Sequence, residues 1–71
     1  MPTEIKSPAV GTILEILVAP GDAVTAEQEL IIIESMKVEI PVLAPCDGTV
    51  ARIEVEAEAQ VQEDALLLTL T

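Results

Sequence analysis

The sequence has no phenylalanine, tyrosine, tryptophan or histidine, one cysteine, and only three cationic side chains, Lys6, Lys37 and Arg52. Without aromatics the core must be assembled from Val, Ile, Leu, Ala and Met, and the β-branched members of that set suit a pleated surface better than a helix. Without histidine, a cysteine pair or a phosphate-binding glycine loop, the chain has none of the usual means of general-base, zinc or nucleotide chemistry, so it is not expected to be an enzyme by itself. The lone Cys46 excludes an intrachain disulfide, accords with a reducing cytoplasm, and is expected to serve as a small buried hydrophobe. The segment Met1-Pro2-Thr3-Glu4 has neither a basic n-region nor an apolar h-region, and the apolar runs are a few residues long, which argues against a membrane partner. The start at Met1 is expected to mark a complete short protein.

What is present in abundance is negative charge. Thirteen carboxylates give 71 residues a formal net charge of −10. Such a surface repels phosphate, so nucleic acid is excluded as a partner and basic or neutral docking faces are favoured. The length allows one domain, residues 1–71, with a single core.

Turn residues at Ser7-Pro8, Ala19-Pro20-Gly21-Asp22, Ala44-Pro45 and Cys46-Asp47-Gly48 separate short β-branched runs, the rhythm of an all-β fold. Displacing the sequence by 37 positions aligns Pro8 with Pro45, Gly11 with Gly48, Thr12 with Thr49, Ile16 with Ile53, Val18 with Val55, Val24 with Val61 and Leu30 with Leu67. The chain is an internal duplication with repeats at 8–34 and 45–71 joined by a hairpin at 35–44. Neither half can bury its own apolar face, so the two must pack around a pseudo-two-fold axis as a flattened β-barrel or sandwich. Alternation places Ala51, Ile53 and Val55 on one face, and the repeat predicts that Leu14, Ile16 and Val18 also point inward. Glu54, Glu56 and Glu58 read as a solvated strand face rather than a cation site.

The stretch from Glu34 to Val42 has no counterpart in this alignment. Apolar runs on either side imply two strands, with their centre of symmetry at Met36-Lys37. A two-residue hairpin there requires positive φ at both central positions, where Asn-Gly or Asp-Gly is the usual choice. Met-Lys carries a strain of roughly 1–3 kcal/mol per residue in such a turn, of the kind that clusters at functional sites. The implied register sets Ser35 opposite Val38 and Glu34 opposite Glu39, a like-charged pair that stability alone would not select. Lys37 would then project from a rigid tip into the cleft of another protein. A lysine amine is protonated near neutral pH, so its acylation needs chemistry that a partner supplies.

Glu34-Ser35-Met36-Lys37-Val38-Glu39 resembles the attachment motif of biotinyl domains, the biotin carboxyl carrier family, whose mark is Met before the modified lysine. Pro8 to Thr12, Pro20 to Val24 and their repetition after Pro45 extend the resemblance over essentially the whole chain. It implies a flattened barrel, or barrel-sandwich hybrid, of two four-stranded antiparallel sheets with the lysine on an exposed hairpin. The absence of an insertion around Pro20-Gly21 makes it similar to the thumbless carriers. The chain departs from the family in having Ser35 for the common Ala and Val38 for the common Met. Glu27, Glu58 and Asp64 stand where turn glycines are usual.

The resemblance further implies that a biotin protein ligase joins biotin to Lys37. A biotin carboxylase would then load it, and a carboxyltransferase, expected to act on an acyl-CoA, would receive the carboxyl group. Met36 is expected to contact biotin or the ligase, with Glu34, Ser35, Val38 and Glu39 as recognition points. A lipoyl carrier using the same lysine and an unmodified barrel-sandwich adaptor are the alternatives.

Overall fold

The computed structural model describes residues 2–71; Met1, and with it the expectation of a complete protein, lies outside the described residues. Those residues form eight strands: β1 (Thr3–Lys6), β2 (Gly11–Ile16), β3 (Ala23–Val24), β4 (Glu29–Ser35), β5 (Val38–Leu43), β6 (Gly48–Ile53), β7 (Gln60–Val61) and β8 (Leu66–Leu70). One sheet runs β1-β8-β6-β3 and the other β5-β4-β2-β7, with every pairing antiparallel. This is the flattened barrel that the repeat predicts, with the two four-stranded sheets that the family resemblance implies, 32 Å long and 18 × 17 Å across.

The 37-residue correspondence holds strand by strand, β2 with β6, β3 with β7 and β4 with β8. It also runs further than residues 8–34 and 45–71. β5 lies beside β4 as β1 lies beside β8, so the second hairpin strand, which has no counterpart in the aligned sequence, has one in space. Backbone hydrogen bonds repeat in the same frame. Glu27 N–H donates to Ala44 O at 2.7 Å as Asp64 N–H donates to Ser7 O at 2.8 Å. The core is likewise paired across the axis: Ile5 with Val42, Ile13 with Val50, Val24 with Val61, Leu30 with Leu67, Ile31 with Leu68 and Ile33 with Leu70, all buried. Each such side chain contributes about 1.5–3 kcal/mol through removal from water, and the two sheets supply it to each other.

Two expectations need correction. Leu14 and Ala51 do not face the core: both are exposed, while Ile13 and Val50 are buried in their place. The pairing shifts between Ile13 and Glu15 and, symmetrically, between Val50 and Arg52. A bulge inserts one residue and breaks the period-2 alternation on which the prediction rested. Cys46 is exposed rather than buried, because it belongs to the turn that leaves β5 and not to a strand. Glu54, Glu56 and Glu58 are exposed, as expected, though β6 ends at Ile53 and they lie in the connection that follows it.

Four residues mark the duplicated turns with left-handed backbone: Gly21 (φ 95°) and its counterpart Glu58 (φ 72°), Glu27 (φ 72°) and its counterpart Asp64 (φ 66°). The turns therefore demand the conformation that glycine supplies most readily, and three of the four positions meet it with a side chain.

Candidate functional site

β4 and β5 form a hairpin whose register is Ile33↔Ile40, Glu34↔Glu39 and Ser35↔Val38. Met36 and Lys37 are its two central residues, at φ 53° and 66°. Both signs are positive, as a type I′ turn requires, because that turn matches the twist of the strands it joins. The pseudo-symmetry relates this tip to the two chain ends, where β1 pairs with β8 as Thr3↔Leu70. The turn therefore has no equivalent loop in the other half of the molecule.

Every residue singled out in the sequence lies in or beside this turn. Met36 is 92% exposed and Val38 59% exposed; Lys37, Glu34 and Glu39 are exposed and Ser35 is partly so. A Met with nearly all its surface in water contributes nothing to the core, so its place at the tip needs another reason. Glu34 and Glu39 face each other across the strands without a cation between them. Among the described residues the one ion pair is Arg52 with Glu54, at 3.4 Å on the opposite sheet. The tip therefore presents a cationic amine flanked by two carboxylates, all accessible to another protein.

The base of the hairpin is tightly packed. Ile33 is fully buried, and Gly11 of β2 lies so close beneath the strand that a Cβ there would collide with the carbonyl oxygen of Glu34. A groove separates the tip from the β1–β2 connection, with Pro8, Ala9 and Val10 on one wall and Ser35, Met36 and Lys37 on the other. Ser7 anchors that connection: it is buried, and its hydroxyl donates to the carbonyl of Ala9 at 2.6 Å. Sequence reasoning missed this wall. The turn at Ser7-Pro8 was readable, but nothing in the sequence places residues 8–10 beside 35–37.

An exposed lysine on a stiff protrusion suits covalent loading by an external enzyme, because the amine reaches into a cleft while the fold stays intact. The described residues contain no group of three or more Cys, Asp or Glu side chains placed to hold a metal ion, and no helix among them is long and apolar enough to cross a membrane.

The family model described as "Biotin-requiring enzyme" matches residues 3–70. Over 71 residues the chain is 32% identical to a biotinylated protein TB7.3 homolog of Mycobacterium leprae, covering all of both chains. It is 41% identical over 66 residues to a biotin carboxyl carrier protein of Streptococcus mutans, covering 93% of this chain and 51% of that protein. It is also 38% identical over 74 residues to the dihydrolipoyllysine-residue acetyltransferase component of the pyruvate dehydrogenase complex of Azotobacter vinelandii, covering 97% of this chain and 12% of that protein. Among solved structures, the Kluyveromyces lactis urea carboxylase superposes with a TM-score of 0.94 at 30% identity, over 100% of this chain and 6% of that one. The chain thus spans the whole of one such relative and a small part or half of the others.

Proposed function

The chain belongs to the biotin and lipoyl attachment family, and from that premise we propose that it is a biotin carboxyl carrier in which Lys37 is the residue that receives biotin. The observation that carries this reading is the pair Met36-Lys37 at positive φ, both exposed to solvent, in a turn that stability would fill with Asn-Gly. Residues 1–71 act as one attachment domain built from two repeats, non-catalytic in itself.

A biotin protein ligase recognises the tip, with Met36 as an apolar contact and Glu34, Ser35, Val38 and Glu39 as flanking determinants. Biotin, when attached, supplies the ureido nitrogen that bears the carboxyl group. The chain's own residues do the rest. Lys37 tethers the group, the left-handed turn fixes the direction in which the arm leaves, and the hairpin clamped at Gly11 and Ile33 keeps the tether from collapsing onto the core. A tethered substrate is presented at high effective concentration to each enzyme in turn, here a biotin carboxylase and a carboxyltransferase acting on an acyl-CoA. The exposed thiol of Cys46 suits the reducing cytoplasm.

The lipoyl reading draws on the 38% identity to the Azotobacter acetyltransferase component. Met36 beside the lysine favours biotin. Intact-mass measurement of the protein from its own host separates the two, with a biotin increment expected on the wild type and none on Lys37→Arg. A lipoyl increment would replace the cargo, and an unmodified Lys37 in a host with an active biotin ligase would end the carrier reading.

A further inference from the structure

The duplication supplies an internal control for the groove beside Lys37. Away from the hairpin tip, the connection between β5 and β6 is tied to the turn between β3 and β4, where Asp47 Oδ1 accepts the Ala26 N–H at 2.8 Å. The pseudo-symmetry equates Asp47 with Val10, between β1 and β2, and Ala26 with Glu63, between β7 and β8. The surrounding frame is the same in both halves. Gly11 pairs with Val61 as Gly48 pairs with Val24, and Ser7 N–H donates to Ala65 O at 2.9 Å as Ala44 N–H donates to Gln28 O at 2.9 Å. The tie alone differs. Valine has no acceptor to offer the Glu63 amide, and Val10 and Glu63 line a groove of about 580 Å³ together with Lys37. Val10 is 57% exposed, at a position where the other half shows that an aspartate fits. The fold does not require this opening.

The groove is of small-molecule size, a class that spans about 300–1,000 Å³, and its residues suit the biotin ring system. Pro8, Val10 and Met36 supply apolar surface for the thioether ring. The Glu63 amide, released from the tie that holds its counterpart, supplies a donor for the ureido oxygen. Glu34 and Glu63 add carboxylates to the lining, which accept N–H groups and repel an anion, so the ring that fits is the uncarboxylated one. Because Lys37 is itself part of the lining, a group on its Nζ starts at the rim. We propose that the groove between the β1–β2 connection and the hairpin tip is a docking site for the uncarboxylated biotin ring borne on Lys37 of the same chain, seated against Val10 with its ureido group at the Glu63 backbone. This rests on the carrier reading. A shallow groove suffices for a tethered ligand. A short flexible tether presents the ring at an effective concentration on the order of millimolar, so a site with a Kd of about that value, too weak to collect free biotin, is filled half of the time. A lipoyl ring has no ureido group and would draw on the apolar wall alone.

The test closes the groove with the other half's residue. Val10→Asp offers the Glu63 amide the acceptor that Asp47 offers Ala26, Val10→Ser removes the apolar wall without adding a charge, and Asp47→Val is the control across the axis. Each protein is labelled with ¹⁵N and ¹³C, its NMR spectra are recorded before and after treatment with biotin ligase, and biotin on Lys37 is read from intact mass. In the wild type, biotinylation should shift the amides of Val10, Gly11 and Glu63 as well as those of the hairpin. It should also give NOEs from the biotin ring protons to the Val10 methyls, unchanged on dilution. Asp47→Val should show the same shifts and NOEs, whereas in Val10→Asp and Val10→Ser the shifts should be confined to the hairpin. Wild-type shifts confined to the hairpin overturn the inference, as do shifts at Glu63 that persist in both Val10 variants, or that vanish on dilution as docking onto a second molecule would. Absence of a biotin increment on Lys37 strikes the carrier reading instead, and is read from the mass alone.

Discussion

Exchanging the residues at positions 21 and 58 tests whether the turns are strained by sequence. Gly21 and Glu58 occupy equivalent places in the two halves, at φ 95° and 72°. Their amides make equivalent bonds, to Val50 O at 2.8 Å and to Ile13 O at 2.7 Å. Left-handed backbone costs a side-chain-bearing residue about 1–2 kcal/mol, and glycine gives back about 0.4–1 kcal/mol through its greater freedom in the unfolded chain. Glu58→Gly should therefore stabilise by about 0.5–1 kcal/mol, and the loss of one of thirteen carboxylates acts in the same direction. For a domain of this size that is a rise of roughly 3–6 °C in Tm. Gly21→Glu should lower it by a similar amount: a Cβ there meets nothing within 4 Å, so no clash adds to the backbone term, and the added carboxylate acts in the same direction. The double exchange should lie near the wild type. Scanning calorimetry or far-UV circular dichroism reads the transition, because a chain without aromatic residues offers no intrinsic fluorescence. Destabilisation by Glu58→Gly, or indifference to Gly21→Glu, would refute the account of these turns.

Gly11→Ala should be the more damaging of the two symmetric glycine substitutions. Its Cβ would meet the Glu34 carbonyl and approach Ile33 Cγ2 to 2.9 Å, whereas at Gly48 the nearest atom is Thr71 O at 3.0 Å. A loss of about 1–3 kcal/mol is expected at Gly11, with a smaller one for Gly48→Ala, measurable by thermal unfolding. Replacing Met36 by Asn and Lys37 by Gly should raise stability by about 1–2 kcal/mol through relief of two left-handed side-chain residues, while mass spectrometry finds no attached cofactor.

The geometry of the candidate site was legible because hairpin register is governed by local rules. Apolar runs flanking Met36-Lys37 fix the turn, and the turn fixes Glu34 opposite Glu39 and Ser35 opposite Val38. The fold class was legible from the repeat. What escaped was anything that depends on a departure from regularity. Leu14 and Ala51 were assigned inward because period-2 alternation has no term for a bulge, and the equivalence of β1 with β5 left no residue identity at the matching positions, only a matching place in the sheet. The groove wall at Pro8 to Val10 was hidden for a third reason: its contact with the hairpin joins segments far apart in sequence.

Strain by itself does not identify the site. Among the described residues five other than glycine have positive φ, and Glu27, Glu58 and Asp64 share that misfit with Met36 and Lys37. The first three recur at equivalent places in both halves, each in a turn whose partner position shows the same conformation, so their strain belongs to the architecture and is open to removal by glycine. Met36 and Lys37 have no equivalent within the chain, because the axis relates them to the termini. They combine the same backbone cost with an almost fully exposed Met and with a lysine set apart from the other two cations, which lie on the opposite sheet. A turn selected only to close the hairpin would carry neither side chain. Nothing within the fold accounts for the strain at the tip, and this is why the proposed function places the attachment on the amine at its apex.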